Sequence, residues 1–215
     1  MELEVAIAGG HGKIALLLGK LLAESEHTVL GLIRNPDQAE DLQAVGVEPV
    51  VCDLEADTDV GAAVRGVDAV VFAAGAGPGS GAERKRTMDL GGAVKLIEAA
   101  KEEGIRRYVM VSAMGAANPP ASGGDVFGEY LRAKAAADEA LRASGLDYTI
   151  VRPGRLTDDP GTGLVRVGES LERGQVPRAD VAAVLAAVLL APNSIGKSFD
   201  LLSGEVAIEQ AVASL

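Results

Sequence analysis

The chain has 215 residues, enough for one domain that buries a substantial core. Hydrophobic residues make up 48%, which argues against disorder; aromatics make up only 3% and tryptophan is absent, so stacking platforms for single-stranded nucleic acid are scarce. A net charge of −11 disfavours nucleic acid and anionic membranes as partners, although local N–H groups and a few basic side chains still allow an anionic cofactor.

The first predicted element is a strand, Glu4–Ala8, whose apolar run is typical of a buried parallel strand. A helix over Lys13–Ala23 follows, with Leu17, Leu18, Leu21 and Leu22 at helical spacing. Between them lies Gly9-Gly10-His11-Gly12-Lys13-Ile14-Ala15, a G-x-x-G-x-x-A turn. Glycines there let backbone N–H groups approach a phosphate, and the helix N-terminus adds its dipole. Ala15 takes the third-glycine position, where a methyl costs little if helix and strand pack slightly more loosely. Strand Thr28–Ile33 ends in Leu32-Ile33-Arg34-Asn35. An NAD site wants an acid there for the ribose 2′-hydroxyl; Arg34 instead offers a bidentate pair to a 2′-phosphate, so NADP is expected over NAD. Lys13 and His11 are expected to add to that pocket, with His11 alternatively an exposed turn residue.

A helix over Pro36–Val45 leads to strand Glu48–Val51. Cys52, the only cysteine, follows; one cysteine makes no intramolecular disulfide, and a small buried hydrophobe is its expected role. Asp53-Leu54 come next, facing the expected adenine, with Asp53 an acceptor for its amino group or else a turn-capping Asp. A short helix near Val60–Val64 and strand Ala69–Ala73 follow. Ala73-Ala74-Gly75 at that strand's end have side chains small enough for backbone to run beside a ribose and phosphate.

Helix Arg84–Glu103 leads to strand Tyr108–Val111, and Ser112 follows directly, again at a carboxyl end. An irregular stretch, Ala113–Asp125, carries Pro119-Pro120 and Gly123-Gly124. Helix Glu129–Ala143 then contains Tyr130 and Lys134, a Y-x-x-x-K pair on one face. An ammonium beside a phenol favours the phenolate, so Lys134 is expected to lower the Tyr130 pKa and ready it for proton exchange with a carbonyl or alcohol. Strand Tyr148–Val151 precedes a Pro/Gly-rich break, Arg152–Arg178, with a short strand at Gly163–Val167. Helix Arg178–Leu190, strand Phe199–Leu202 and a short helix, Glu205–Ser214, end the chain. Gly46, Gly66, Gly104 and Gly145 sit where left-handed residues close helices. The alternation predicts an α/β, Rossmann-type doubly wound parallel sheet with helices on both faces and a small C-terminal substrate lobe. Residues 1–215 are read as one domain, with 153–178 a substrate-side loop region.

With these motifs in place, the chain resembles an atypical short-chain dehydrogenase/reductase of the NAD(P)-binding, NmrA-like or epimerase-like group. The resemblance covers essentially the whole chain. It rests on Gly9, Gly12, Ala15, Arg34, Asp53-Leu54, Ala73-Ala74-Gly75, Ser112, Tyr130, Lys134 and Arg152-Pro153-Gly154. It implies that Ser112 and Tyr130 hold the substrate oxygen, that Lys134 binds the nicotinamide ribose, and that Pro153 and Gly154 meet the carboxamide. It also puts Asp89 where many members have an Asn of a proton relay, though Asp cannot donate as Asn does. The stretch between Ser112 and Tyr130 is longer than usual, and the stretch after Arg152 is short beside that of extended epimerases, which favours a small or flat acceptor. The expected function is NADP-dependent hydride transfer to a small carbonyl or flat acceptor. The alternatives are an epimerase or dehydratase with retained cofactor, or a non-catalytic NADP(H) sensor. The expected setting is cytoplasmic, monomeric or homodimeric, with a small-molecule substrate, no metal, no nucleic acid and no membrane.

Overall fold

The computed structural model describes residues 2–57, 59–77, 79–121 and 125–215; Gly123-Gly124 of the irregular stretch lie outside them. The chain opens with β1 (Glu4–Ala8), α1 (Lys13–Glu24), β2 (Thr28–Ile33), α2 (Ala39–Gln43), β3 (Glu48–Val51) and β4 (Ala69–Phe72). A helical run follows: α3 (Ala82–Arg84), a π-helical segment (Lys85–Gly92) and α4 (Ala93–Glu102). After β5 (Arg107–Val111), α5 (Val126–Ala143) and β6 (Asp147–Pro153) come three short strands, β7 (Arg155–Thr157), β8 (Leu164–Gly168) and β9 (Gln175–Pro177). The chain ends with α6 (Arg178–Leu190), β10 (Lys197–Ser203), β11 (Val206–Ala207) and α7 (Ile208–Ala213).

The nine-stranded sheet runs β11-β8-β10-β6-β5-β4-β1-β2-β3. From β10 to β3 every pairing is parallel, as the alternation predicts. Its apolar strands bury both faces, and alternate residues go to opposite layers. Val5 and Ile7 of β1 pack with Leu18 of α1 and Leu185 of α6, whereas Ala6 and Ala8 pack with Leu96 of α4 and Leu141 of α5. The four predicted helix-closing glycines all have positive φ. β1 has β2 on one side and β4 on the other. The connection order reverses there, so a crevice opens beyond the carboxyl ends of β1 and β4.

Several expectations need correction. The span 153–178 is more ordered than a loop: the short strand expected at Gly163–Val167 is β8, which joins the main sheet antiparallel to β10, but β7 and β9, which pair as a separate parallel ribbon, were not expected. The predicted Glu205–Ser214 helix begins as β11, antiparallel to β8, and only then becomes α7. The helix expected over Pro36–Val45 splits into a 3₁₀ turn (Pro36–Gln38) and α2, because the Asn35 side chain accepts from Asp37 N–H at 3.1 Å and sets a tight turn at Pro36. The predicted Val60–Val64 helix is a 3₁₀ turn, Gly61–Ala63. α5 starts three residues before Glu129, because Asp125 caps it by accepting from Gly128 N–H at 3.0 Å.

Candidate functional site

The crevice forms a cleft of 990 Å³. Of the sequence-predicted residues, Gly9, His11, Gly12, Ile14, Arg34, Asp53, Leu54, Ala73, Ala74, Gly75, Asp89, Ser112, Tyr130 and Lys134 line it. Gly10, Lys13, Pro153 and Gly154 are not among its lining residues.

At its floor, Gly9 has φ +78°, and a Cβ there would stand 2.6 Å from Ala74 Cα. Only glycine allows this turn to pass so close to the end of β4. Gly12 N–H donates to Gly9 C=O at 2.8 Å, and Gly12 then caps α1 without a side-chain hydrogen bond, so the first N–H groups of the helix keep no side-chain acceptor. Gly10 serves the packing instead. Its Cβ would lie 2.8 Å from the Gly31 backbone, so the missing side chain lets the turn sit on β2. Ala15 is buried against the core, as its small size allows.

The basic residues are distributed otherwise than expected. Lys13 Nζ pairs with Asp158 at 2.6 Å, and Arg178 Nη1 pairs with the same carboxylate at 2.7 Å. Lys13 is thus drawn toward the segment after β7 and away from the pocket it was expected to join. His11 Nε2 is 2.7 Å from Asp41 of α2. Arg34 faces the cleft, its Nη1 3.9 Å from Glu55 Oε2. Asp53 Oδ1 accepts from Glu55 N–H at 2.9 Å, the turn-capping role. Cys52 is buried beside it, and burial together with Asp57 pushes its thiol up to about 11, leaving it an unreactive thiol at neutral pH.

At the other end, Ser112 is buried directly after β5, and its Oγ lies beside the Asp138 carboxylate, whose Oδ1 is likewise buried with no other hydrogen-bond partner among the described residues. Lys134 of α5 is also buried: its Nζ donates to Val111 C=O at 3.1 Å and lies 3.4 Å from Asp89 Oδ1. Asp89 sits in the π-helical segment, where wider turns are frequent at functional sites, and its Oδ2 accepts from Ala76 N–H at 3.3 Å. Burial lowers the Lys134 pKa, an effect that Asp89 opposes.

The expected depression of Tyr130 is absent. Burial pushes its phenol up, and the Asp89 and Asp138 carboxylates push it further. Lys134 is not among the groups that shift it; its ammonium lies 3.4 Å from Asp89 Oδ1. Instead Lys85 Nζ lies 5.1 Å from the Tyr130 ring centroid, and the exposed Phe127 ring lies 5.9 Å away on the same helix.

Sequence reasoning missed two participants. Arg84 lines the cleft near Arg34. Asp138, one helical turn after Lys134, forms a buried ion pair with Arg152 at 2.9 Å and lies near Ser112; burial pushes its carboxyl up, opposed by that hydroxyl and by Arg152. The spacing of Lys134 and Asp138 on one face of α5 was the available signal. For Arg84 the signal was its place at the start of the helix after β4, on the same edge as the glycine turn.

These features fit a dinucleotide: a glycine turn that leads into α1, whose first N–H groups keep no side-chain acceptor among the described residues, with Arg34 and Arg84 and a buried Ser112 hydroxyl lining the same cleft. Comparison with known proteins agrees. Residues 9–192 match the family model described as NAD(P)H-binding. The chain is 39% identical over 215 residues to a Bacillus subtilis (strain 168) protein named an uncharacterized sugar epimerase, YhfK, covering 99% of this chain and 100% of that one. It is similar to a solved structure described as a putative NAD-dependent epimerase/dehydratase from Bacillus halodurans, at TM-score 0.94, 39% identity and coverage of 99% and 100%. It is also similar to ChuY, described as an anaerobillin reductase from Escherichia coli O157:H7, at TM-score 0.77, 27% identity and coverage of 93% and 97%. Among the described residues no helix is long and apolar enough to cross a membrane.

Proposed function

The chain belongs to the NAD(P)H-binding family, and from that membership we propose that it is an NADPH-dependent oxidoreductase acting on a small carbonyl or flat acceptor. The observation that carries this reading is one cleft with the Gly9–Gly12 turn and Arg34 at one end and Ser112, Tyr130 and Lys134 at the other. When bound, the nicotinamide supplies the hydride.

The chain's own residues divide the remaining roles. Gly9, Gly12 and Ile14 hold the pyrophosphate, with backbone donors at the start of α1. Arg34 takes the 2′-phosphate in a charge-assisted pair. Lys134, fixed by Asp89 and Val111 C=O, positions the ribose nearer the reacting end. Tyr130 keeps its proton on the phenolic oxygen, the form needed to donate to a substrate oxygen that gains charge. Ser112 Oγ, at the cleft beside the Asp138 carboxylate, is a group to orient that oxygen. Val126 and Phe127, both exposed at the opening, offer an apolar surface suited to a flat acceptor.

The test is NADPH oxidation measured against a panel of small carbonyls, quinones and azo dyes. Turnover is expected with at least one class, and Tyr130→Phe should lower kcat by about 10²–10⁴-fold for a carbonyl. Full activity in Tyr130→Phe would remove Tyr130 as the acid. The names of two relatives favour a second reading, an epimerase or dehydratase. Tightly retained cofactor with no net NADPH consumption would select it.

A further inference from the structure

Arg84 comes from a different part of the chain than Arg34. It ends α3, whereas Arg34 follows β2, yet both side chains line the same end of the cleft. Glu55 joins them. Its Oε2 accepts from Arg84 Nε at 3.3 Å and lies 3.9 Å from Arg34 Nη1. Its Oε1 accepts from Thr87 Oγ1 at 2.6 Å. Its own backbone is fixed as well, with Asp53 Oδ1 on its N–H at 2.9 Å and Lys95 Nζ on its C=O at 3.1 Å.

Two guanidiniums this close repel each other unless an anion stands between them. Glu55 supplies one from outside the ring of lining residues, while the arginines face inward. Each guanidinium has five N–H donors, and Glu55 engages only some of them. The rest are free for a second anion on the cleft side. A single guanidinium carries one charge, whereas a phosphate monoester carries close to two at neutral pH. Two converging arginines match it better than one.

We propose that Arg84 is a second specificity determinant for the 2′-phosphate, and that Glu55 is a positioning residue that holds Arg84 and Arg34 as a clamp. This rests on the reading of the cleft as an NADPH site, and it adds two residues that the resemblance does not assign. The consequence is a site that distinguishes NADPH from NADH through two arginines from separate elements.

The test uses calorimetric or fluorescence titration of the full chain with NADPH, NADH, 2′-phospho-AMP and AMP, so that binding is read without turnover. Arg84→Ala should weaken NADPH and 2′-phospho-AMP by about tenfold or more, the scale of one lost charge-assisted contact, and change NADH and AMP less than about twofold. Glu55→Ala should weaken the 2′-phosphate ligands in the wild-type background but have little effect once both arginines are alanine. Circular dichroism and Tm of each variant separate this from unfolding. An equal loss for phosphorylated and unphosphorylated ligands in Arg84→Ala would overturn the proposal, making Arg84 a general nucleotide contact. So would selective loss in Arg34→Ala with none in Arg84→Ala, and that result would leave the NADPH reading standing. Equal wild-type affinity for NADPH and NADH would overturn the NADPH reading itself, and the clamp with it.

Discussion

Lys134 and Asp89 are buried partners from different elements, and Tyr130 beside them keeps its proton chiefly because it is buried, with Asp89 and Asp138 adding to the effect. The Y-x-x-x-K spacing made Tyr130 and Lys134 legible as neighbours on a helix. It did not reveal that Asp89, from the preceding helical run, would take the ammonium. That contact depends on the π-helical register of Lys85–Gly92, which no local propensity announces. The Arg84–Glu55 contact was illegible for the same reason, since it closes over 29 residues. The glycine turn, in contrast, is local, and its place between β1 and α1 agrees with the sequence reading, although Gly10 and Lys13 do not line the cleft. The buried pair has a consequence for stability. Lys134→Met leaves the Asp89 carboxyl buried without its cationic partner, at a cost of about 3–5 kcal/mol. Adding Asp89→Leu should recover most of that loss in a chemical denaturation curve, since an apolar pair replaces an ionic one. A single variant as stable as wild type would show that the pair is not electrostatically coupled.

The elements follow from how strongly each is patterned. β1, β2 and β3 match their predicted bounds because each is an uninterrupted run between helix or turn signals. β7 and β9 escaped because each is three residues long in a stretch dense in proline and glycine. The ribbon they form has a functional consequence. It places Asp158 where that carboxylate holds both Lys13, at the start of α1, and Arg178, at the start of α6. This ion-pair triad ties the nucleotide turn to the C-terminal lobe. The three side chains are largely exposed or half-buried, so each link is worth little in isolation. Lys13→Ala should therefore change NADPH and NADH affinities in parallel, within about twofold of each other. A selective loss of NADPH, read by titration, would restore Lys13 to the 2′-phosphate pocket.

For the whole molecule, the doubly wound core was legible because apolar strands and amphipathic helices alternate over most of the chain. The antiparallel edge was not, because β8 and β11 pair only after β10 has set the sheet's end. Global stability also carries a mark of the buried site. Burial raises the Asp138 pKa, so between the ordinary carboxylate range and that raised value the folded chain binds more protons than the unfolded one. Stability from this group therefore falls as pH rises through that window. The half-buried Asp147, lowered by its hydrogen bond to Arg106, has the opposite sign: its contribution is present above the ordinary range and lost in acid. Comparing Tm at about pH 4 and pH 7, Asp138→Asn should shift the pH dependence toward higher relative stability at pH 7. An unchanged difference would mean that Asp138 titrates alike in both states.

Everything proposed for the cleft depends on its taking a nicotinamide dinucleotide between β1 and β4 and reading the 2′-phosphate through Arg34. Fluorescence titration of the purified chain with NADPH and NADH, for wild type and Arg34→Ala, puts that dependence to trial. Wild type should bind NADPH at least about tenfold more tightly than NADH, and Arg34→Ala should lose much of that preference while Arg84 retains the rest, with NADH little changed. Equal wild-type affinities, or an Arg34→Ala variant that still prefers NADPH by the full margin, would refute the 2′-phosphate reading.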